Sequence, residues 1–173
     1  FVLNNVLSPK QKQRVETLIN PNSDPLGSGW NITQSKIAIG SGGFFGKGFL
    51  RGTQTGLNFV PIQSTDFIFS VIGEEFGYLG SMIFVILYLI FLYRILILSE
   101  YQKDKFARVF GYSTFSIFLF HFTVNVSMTL GLFPVIGIPL SFISYGGSSL
   151  FSFSLLLFIF LKLDSVKPSI LAR

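Results

Sequence analysis

The chain of 173 residues has no cysteine, one histidine and few charged residues. Without cysteine, the protein has no disulfide framework, no thiolate metal site and no cysteine nucleophile. Charged residues make up only 12% of the chain, whereas a typical soluble domain has about 25%. Half of the residues are hydrophobic, and 22 residues are Phe. This composition predicts an integral membrane protein that is a single domain or part of one.

The charge pattern favours a lipid surface over a nucleic acid as the partner. The net charge is +5, which suits a protein that faces anionic lipid. No basic patch with interleaved aromatic residues lies outside the membrane-like pattern, so no nucleic-acid partner is expected. The chain begins at Phe1 without an initiator Met, a charged n-region or a cleavage site, which is not typical of a signal peptide. We expect a C-terminal portion of a longer protein.

Three apolar stretches are long enough to cross a bilayer, which takes roughly 20 residues. They cover residues 78–99, 109–132 and 148–163. The third stretch is short, and it lengthens if Pro139 to Gly147 enters the membrane as a re-entrant segment, which is tolerated only against protein or a cavity. The predicted fold class is therefore an all-α integral membrane protein with about three transmembrane helices.

The distribution of Lys and Arg predicts the orientation of these spans. The loop after the first span and the end of the chain are basic, whereas the loop 131–148 has no Lys or Arg. Because basic loops stay in the cytoplasm, residues 1–77 and 131–148 are expected outside. The basic residues are Lys103, Lys105 and Arg108 in the first loop, and Lys162, Lys167 and Arg173 at the end of the chain.

Residues 1–77 are expected to form a large extracellular loop with short interfacial helices. Ser8 and Pro9 are typical of a helix start, and Asn20-Pro21 ends this helix. A second short helix is expected over 32–39, and the glycine-rich run 40–56 is expected to be irregular. Ser64 or Thr65 then caps a helix that begins around Asp66.

Asp66 is the strongest candidate for chemistry. Near a helix start the carboxylate stays ionised, so it can take a proton from a hydroxyl or hold a divalent cation, Mg²⁺ or Mn²⁺. Its alternative role is a helix cap without chemistry. On a continuous helix, Glu74 and Glu75 lie roughly 12–13 Å from Asp66 along the axis, which is too far for a carboxylate pair. We interpret them as polar positions at the membrane rim; the alternative is packing or ion contacts with the missing portion of a longer protein.

Two other groups of residues are candidates. The glycine-rich run 40–52 could hold a phosphate through its backbone N–H groups, with Lys47 and Arg51 adding charge; the alternative is a flexible surface loop. In the second span, His121 and Asn125 lie on one polar face at helical spacing. An intramembrane histidine is a functional candidate, and the alternative is a neutral histidine hydrogen-bonded to another helix. Gly73, Gly77 and Ser81 form a small-residue face for close packing.

Several ordered motifs make nearly the whole chain similar to the C-terminal part of the SEDS family (shape, elongation, division and sporulation). The Gln-Thr-x-Leu-Asn-Phe motif resembles the RodA branch more than FtsW. The motifs are Pro25-Leu-Gly-Ser-Gly-Trp-Asn, Gln34-Ser-Lys-Ile-Ala-Ile-Gly-Ser-Gly-Gly, Gly52-Thr-Gln-Thr-Gly-Leu-Asn-Phe, Thr65-Asp-Phe-Ile-Phe, Gly73-Glu-Glu-Phe-Gly, His121-x-x-x-Asn125 and Gly137-Ile-Pro-Leu-Ser-Phe-Ile-Ser-Tyr-Gly-Gly-Ser-Ser149.

The resemblance implies a ten-span protein of the bacterial inner membrane, with this chain supplying roughly the last three spans and the large outer loop. It implies a peptidoglycan glycosyltransferase that polymerises lipid II during cell elongation with a class B penicillin-binding protein. The essential loop Asp of the family falls on Asp66. The Glu and His that usually precede it are Ile62 and Ser64 here.

From these motifs we assign Gln34 and Ser35, together with Lys47 and Arg51, to pyrophosphate binding. Ser148 joins the positions of structural or functional interest, with His121, Asn125, Glu74 and Glu75. Two other functions stay open. One is a flippase for a lipid-linked precursor, because the helix-breaking residues near Pro139 and the polar face of the second span would supply a pathway. The other is a non-catalytic membrane scaffold for cell-wall synthesis.

Overall fold

The structure, a computed structural model, describes residues 8–20, 27–57, 59–60 and 63–165. These residues contain helices and no strand, which confirms the all-α class. Some predictions fall on residues outside the described ones. They concern Phe1, Pro21, Ile62 and the basic residues after residue 165. The helices are α1 (Pro9–Ile19), α2 (Ser28–Ser41), α3 (Thr53–Gly56), α4 (Ile68–Glu100), α5 (Lys105–Thr129) and α6 (Gly147–Ser165).

Helices α4, α5 and α6 are long and apolar enough to cross a membrane, which confirms three predicted spans. Their bounds differ from the predicted ones: α4 begins ten residues before residue 78, α5 covers 105–129 instead of 109–132, and α6 covers 147–165 instead of 148–163. The difference arises because backbone hydrogen bonds continue into polar turns that a hydropathy window leaves out.

An aromatic core holds the three long helices together. Only four residues, 101–104, join α4 to α5, so the two helices run antiparallel as a helical hairpin. Tyr88 of α4 stacks on Phe122 of α5, with ring centroids 4.3 Å apart and planes 11° apart. The other buried members are Leu92, Ile95, Phe118, Leu140, Phe153 and Phe160. Because lipid tails are as apolar as these side chains, the core stabilises the bundle through close van der Waals packing and not through removal of apolar surface from water.

The predicted start of α1 forms, whereas the predicted start of α4 does not. Ser8 accepts a hydrogen bond from the Gln11 N–H, and the Gln11 side chain accepts one from the Ser8 N–H, so a capping box starts α1. At α4 the predicted cap is wrong: residues 63–67 form a turn, the helix begins at Ile68, and no side chain caps it. The predicted helix 32–39 is also longer, covering Ser28–Ser41.

Helix α4 is broken at Gly77, and the glycine-rich run fills the break. Gly77 has φ +67° and ψ −162°. Four backbone groups that lose their helical partners there bond to the run instead. The bonds are Lys47 N–H to Glu74 O (3.0 Å), Gly48 N–H to Glu75 O (2.9 Å), Tyr78 N–H to Gly43 O (2.9 Å) and Leu79 N–H to Phe44 O (3.1 Å). The run therefore packs against α4, and the alternative of a flexible surface loop is wrong. Residues 42–52 are irregular as predicted, whereas Thr53–Gly56 form α3.

Replacing Gly77 by Ala is expected to destabilise the protein by about 2–3 kcal/mol, since left-handed backbone costs an alanine about 1–2 kcal/mol and overpacking adds to it. A Cβ at Gly77 would lie 2.3 Å from the Gly46 nitrogen. Thermal unfolding in detergent measures the effect. Gly40→Ala is the matched control, because a Cβ there meets nothing within 4 Å. Equal melting temperatures of both variants would contradict a packed break.

The segment 131–146 is non-helical and returns into the helix bundle. Its Phe142 packs against Phe91 of α4, Phe118 of α5 and Phe153 of α6, at centroid distances of 6.0, 5.3 and 6.2 Å. Phe118 lies eleven residues before the end of α5, which is roughly 16 Å along the helix. The segment therefore runs deep between the helices. Its entry into the membrane stays a prediction.

Candidate active site around Asp66

Hydrogen bonds to three successive backbone carbonyls hold the turn that carries Asp66 in place. Each accepts a hydrogen bond from a residue far away in the sequence, on α5 or in the returning segment. The bonds are Tyr145 N–H to Ser64 O (2.8 Å), Ser144 Oγ to Thr65 O (2.5 Å) and Asn125 Nδ2 to Asp66 O (2.9 Å). The backbone on both sides of the Asp66 side chain is therefore fixed against the bundle.

The polar face of α5 anchors the returning segment. Asn125 is fully buried and donates its second amide hydrogen to Ile138 O, at 2.8 Å. His121 Nδ1 lies 3.1 Å from Pro139 O. Because a carbonyl only accepts hydrogen bonds, Nδ1 carries the proton. The partner of His121 is thus the returning segment, and not another helix as the alternative had it.

The Asp66 carboxylate is half-buried and unpaired. Within the described residues, no hydrogen bond or ion pair reaches its oxygens, although its backbone is firmly held. The Gly137 backbone passes beside it, and a Cβ at Gly137 would lie 3.1 Å from Asp66 Oδ2. Gly137 also has φ +81°, which favours glycine. A positioned, unpaired carboxylate with an open side can accept a proton or bind a cation.

Lys47 and Glu74 form an ion pair that stabilises the fold. Lys47 Nζ lies 2.6 Å from Glu74 Oε1, and the Glu74 side chain is fully buried. The carboxylate also accepts hydrogen bonds from the N–H groups of Thr53 (2.8 Å), Gln54 (2.9 Å) and Thr55 (2.9 Å), at the start of α3. A helix N-terminus and an ammonium group together hold the carboxylate inside the protein. The ion contact of Glu74 is thus with Lys47 of this chain and not with the missing portion of a longer protein, and its place at the membrane rim stays a prediction.

The other predicted binding residues are spread over the fold. The Ser35 hydroxyl donates to Thr129 O at 2.9 Å and is fully buried, so it joins α2 to α5. Gln34 is buried, whereas Arg51 and Ser148 are exposed. The N–H groups of Lys47 and Gly48 already bond to α4, so these two groups are not available to a phosphate.

Sequence reasoning missed Ser144. The signal was available, because Ser144 lies inside the motif 137–149 that carries the family resemblance. Its hydroxyl donates to Thr65 O and accepts from the Leu140 N–H, at 2.8 Å. Ser144 therefore connects the Asp66 turn with the bend of the returning segment.

A divalent cation would have few protein ligands here. Among the described residues, no three His, Asp or Glu side chains converge on one point. Mg²⁺ is commonly bound by one or two carboxylates together with substrate phosphates and water. Asp66 alone fits that limited role, so the predicted Mg²⁺ or Mn²⁺ stays a prediction.

Comparison with known proteins agrees with this architecture. A curated glycosyltransferase, "Peptidoglycan glycosyltransferase RodA" of Treponema pallidum, is 50% identical over 147 residues, which cover 85% of this chain and 34% of the relative. "Peptidoglycan glycosyltransferase MrdB" of Escherichia coli K12 is 48% identical over 140 residues, which cover 81% of this chain and 38% of the relative. "Probable peptidoglycan glycosyltransferase FtsW" of Trichlorobacter lovleyi is 41% identical over 145 residues, which cover 84% of this chain and 38% of the relative. The chain thus spans little more than a third of their length.

A solved structure has the same fold. It is described as "Structural coordination of polymerization and crosslinking by a peptidoglycan synthase complex", and it superposes with a TM-score of 0.75 at 30% identity over 95% of this chain and 44% of its own. The family model of the FtsW, RodA and SpoVE cell cycle proteins matches residues 1–168. With three membrane-length helices and this match, the chain is a multi-pass membrane protein that belongs to the FtsW/RodA/SpoVE family, the SEDS family.

Proposed function

We propose that this chain is part of a peptidoglycan glycosyltransferase that polymerises lipid II, with Asp66 as its catalytic residue. The observation that carries the proposal is the Asp66 carboxylate, which no other described side chain or N–H group pairs, on a turn whose carbonyls accept hydrogen bonds from Tyr145, Ser144 and Asn125. The names of the similar proteins support the activity. The Gln-Thr-x-Leu-Asn-Phe motif favours a role in cell elongation.

Asp66 acts as the general base. It takes the proton from a sugar 4-hydroxyl of the acceptor, and the hydroxyl oxygen forms a bond to the anomeric carbon of the donor. The bond from that carbon to the pyrophosphate oxygen breaks, and undecaprenyl pyrophosphate leaves with the electron pair. Attack opposite an α-linked pyrophosphate gives a β-linked product by inversion. The alternative role of Asp66 is to position a divalent cation, which would neutralise charge on the pyrophosphate.

Arg51 is better suited than Lys47 to contact the leaving group. Its side chain is exposed, and no ion pair of Arg51 occurs among the residues the structure describes. Lys47 would first have to leave Glu74, at 2.6 Å. Positive charge near the leaving oxygen stabilises the transition state. Gln34 also stays a candidate for this contact, whereas the Ser35 hydroxyl already donates its hydrogen bond to Thr129 O.

The partners and location follow from the same function. The substrate is a lipid-linked disaccharide-pentapeptide, so the protein works in the bacterial inner membrane with the Asp66 end of the bundle outside. The structural relative belongs to a peptidoglycan synthase complex of polymerisation and crosslinking, which supports a class B penicillin-binding protein as the partner. The basic loop 101–108 lies at the opposite end of the bundle, as this orientation requires.

Polymerisation by the full-length protein tests the proposal. Purified full-length protein, with its penicillin-binding partner, is incubated with fluorescent lipid II, and products are separated by gel electrophoresis. A ladder of glycan strands with β linkages is the expected result. Translocation of lipid II across proteoliposomes without any polymer would instead identify a flippase, and binding of the partner without either activity would identify a scaffold.

Replacing Ser144 by Ala is expected to lower kcat for polymerisation about tenfold with little change in KM. Alanine loses the hydrogen bond to the Thr65 carbonyl, which is worth roughly 1–1.5 kcal/mol, and it leaves the Leu140 N–H without its acceptor. Both losses let the Asp66 turn move. Ser152→Ala is the matched control, since its hydroxyl bonds only within α6, to Ser148 O. If both variants polymerise at the wild-type rate, Ser144 does not position Asp66.

A further inference from the structure

The two neighbouring acids of α4 differ in how they are satisfied. Glu74 is saturated by Lys47 and the start of α3. Glu75 is only 8% exposed, yet its carboxylate has no hydrogen bond or ion pair within the part of the chain that the structure describes. The Glu75 oxygens are not among the fully buried polar atoms of the described residues that lack a partner. They therefore reach the molecular surface, where a ligand can contact them.

Glu75 lines a cavity that lies beside the Asp66 turn. The cavity has a volume of about 290 Å³, and we call it the Glu75 cavity. Its walls come from the start of α3, from Gln63 and Ser64 of the turn 63–67, and from Ile68 and Val71 of α4. This volume is at the lower end of small-molecule sites, which have about 300–1,000 Å³. It suits one sugar ring rather than a lipid tail.

The lining favours an uncharged polar ligand. Ile68 and Val71 provide an apolar wall, and the Glu75 carboxylate and the Ser64 hydroxyl provide polar groups. The Gln63 amide also lines the cavity, but it already donates to Thr55 O at 2.7 Å. No Lys or Arg is among the lining residues, so a pyrophosphate would meet only negative charge. A sugar ring has both an apolar C–H face and hydroxyl or acetamido donors, which a carboxylate accepts strongly.

We propose that the Glu75 cavity binds a sugar ring of the lipid-linked substrate, with the Glu75 carboxylate accepting a hydrogen bond from a hydroxyl or acetamido N–H. Ser64 lines the cavity and lies two residues before Asp66, so the cavity borders the turn that carries the general base. This inference rests on the proposed function, and it adds the subsite that recognises the sugar.

Binding without turnover tests the subsite. Full-length Glu75→Gln and wild-type proteins are titrated by native mass spectrometry with two probes, undecaprenyl pyrophosphate alone and the same lipid carrying its disaccharide without peptide. The Kd of the disaccharide lipid is expected to rise about tenfold, the difference between a charge-assisted and a neutral hydrogen bond. The Kd of undecaprenyl pyrophosphate should stay within twofold. Glu16→Gln, on the exposed side of α1, is the matched control.

Three results would overturn the subsite. An unchanged Kd for the disaccharide lipid would do so, and so would equal weakening of both probes. A melting temperature lowered as far as in Glu74→Gln, with unchanged binding, would mean that the carboxylate is ion-paired within the full-length fold. Since these titrations need no catalysis, a fully active Asp66→Asn enzyme would refute the general base while leaving the sugar subsite intact.

Discussion

Replacing Asp66 by Asn in the full-length protein is expected to lower kcat for glycan polymerisation by about 10²–10⁴-fold, the contribution of a positioned general base. Asn keeps the size of the side chain but cannot take the hydroxyl proton. The turn should keep its place, because the bonds from Asn125 and Ser144 reach backbone carbonyls and not the carboxylate. KM for lipid II should therefore change little. Single-turnover polymerisation of fluorescent lipid II measures the rate.

The control for this substitution makes the same chemical change at the other end of the bundle. Asp104 caps α5 by accepting from the Ala107 N–H, and Asn is an equally good cap. Asp104→Asn should polymerise lipid II at the wild-type rate and melt at the wild-type temperature. Undiminished polymerisation by Asp66→Asn would remove the general base from the mechanism, and a large drop in its melting temperature would point to a structural role.

Replacing Glu74 by Gln is expected to destabilise the protein by about 3 kcal/mol, at the lower end of the 3–5 kcal/mol measured for broken buried ion pairs. Glu74 is completely buried, whereas Lys47 is 25% exposed, so water partly compensates the lysine left behind. Three backbone N–H groups of α3 also lose a charged acceptor. Thermal unfolding of the full-length protein in detergent measures the change.

A double-mutant cycle separates the ion pair from the loss of the helix cap. Lys47→Met removes the ammonium and leaves a buried carboxylate, so it should also be strongly destabilising. The combined variant should cost less than the sum of the single ones, because each single change strands a charge. Glu16→Gln, at an exposed position, should change the free energy of unfolding by less than about 0.5 kcal/mol. Strict additivity of Lys47→Met and Glu74→Gln would contradict the pair.

Local features of the structure could be predicted from local sequence. The Ser8 capping box of α1 forms because the residues that make it are three positions apart. The three spans follow from uninterrupted apolar stretches, which only a helix satisfies in lipid. The polar face with His121 and Asn125 follows from helical spacing. Asp66 stood out through the family motif, although the cap predicted for it does not form.

Long-range contacts could not be predicted in this way. The glycine-rich run gave no local sign that it would replace the hydrogen bonds broken at Gly77, because its partners lie about thirty residues away. The side chains of Asn125 and Ser144 donate hydrogen bonds to the backbone carbonyls of Asp66 and Thr65, respectively, across more than fifty residues. Such contacts depend on how the helices pack, and a periodicity argument sees only one helix at a time.

Glu74 and Glu75 show which property of a residue could not be predicted from the sequence: the environment of its side chain. The sequence by itself determined that two acids occur near the start of the first span. Adjacent side chains on a helix point about 100° apart, so each faces a different neighbour. Packing placed Glu74 against Lys47 and the N-terminus of α3, and left Glu75 facing a cavity. The chemical difference between two identical residues therefore arises from which surface each one meets after the chain has folded.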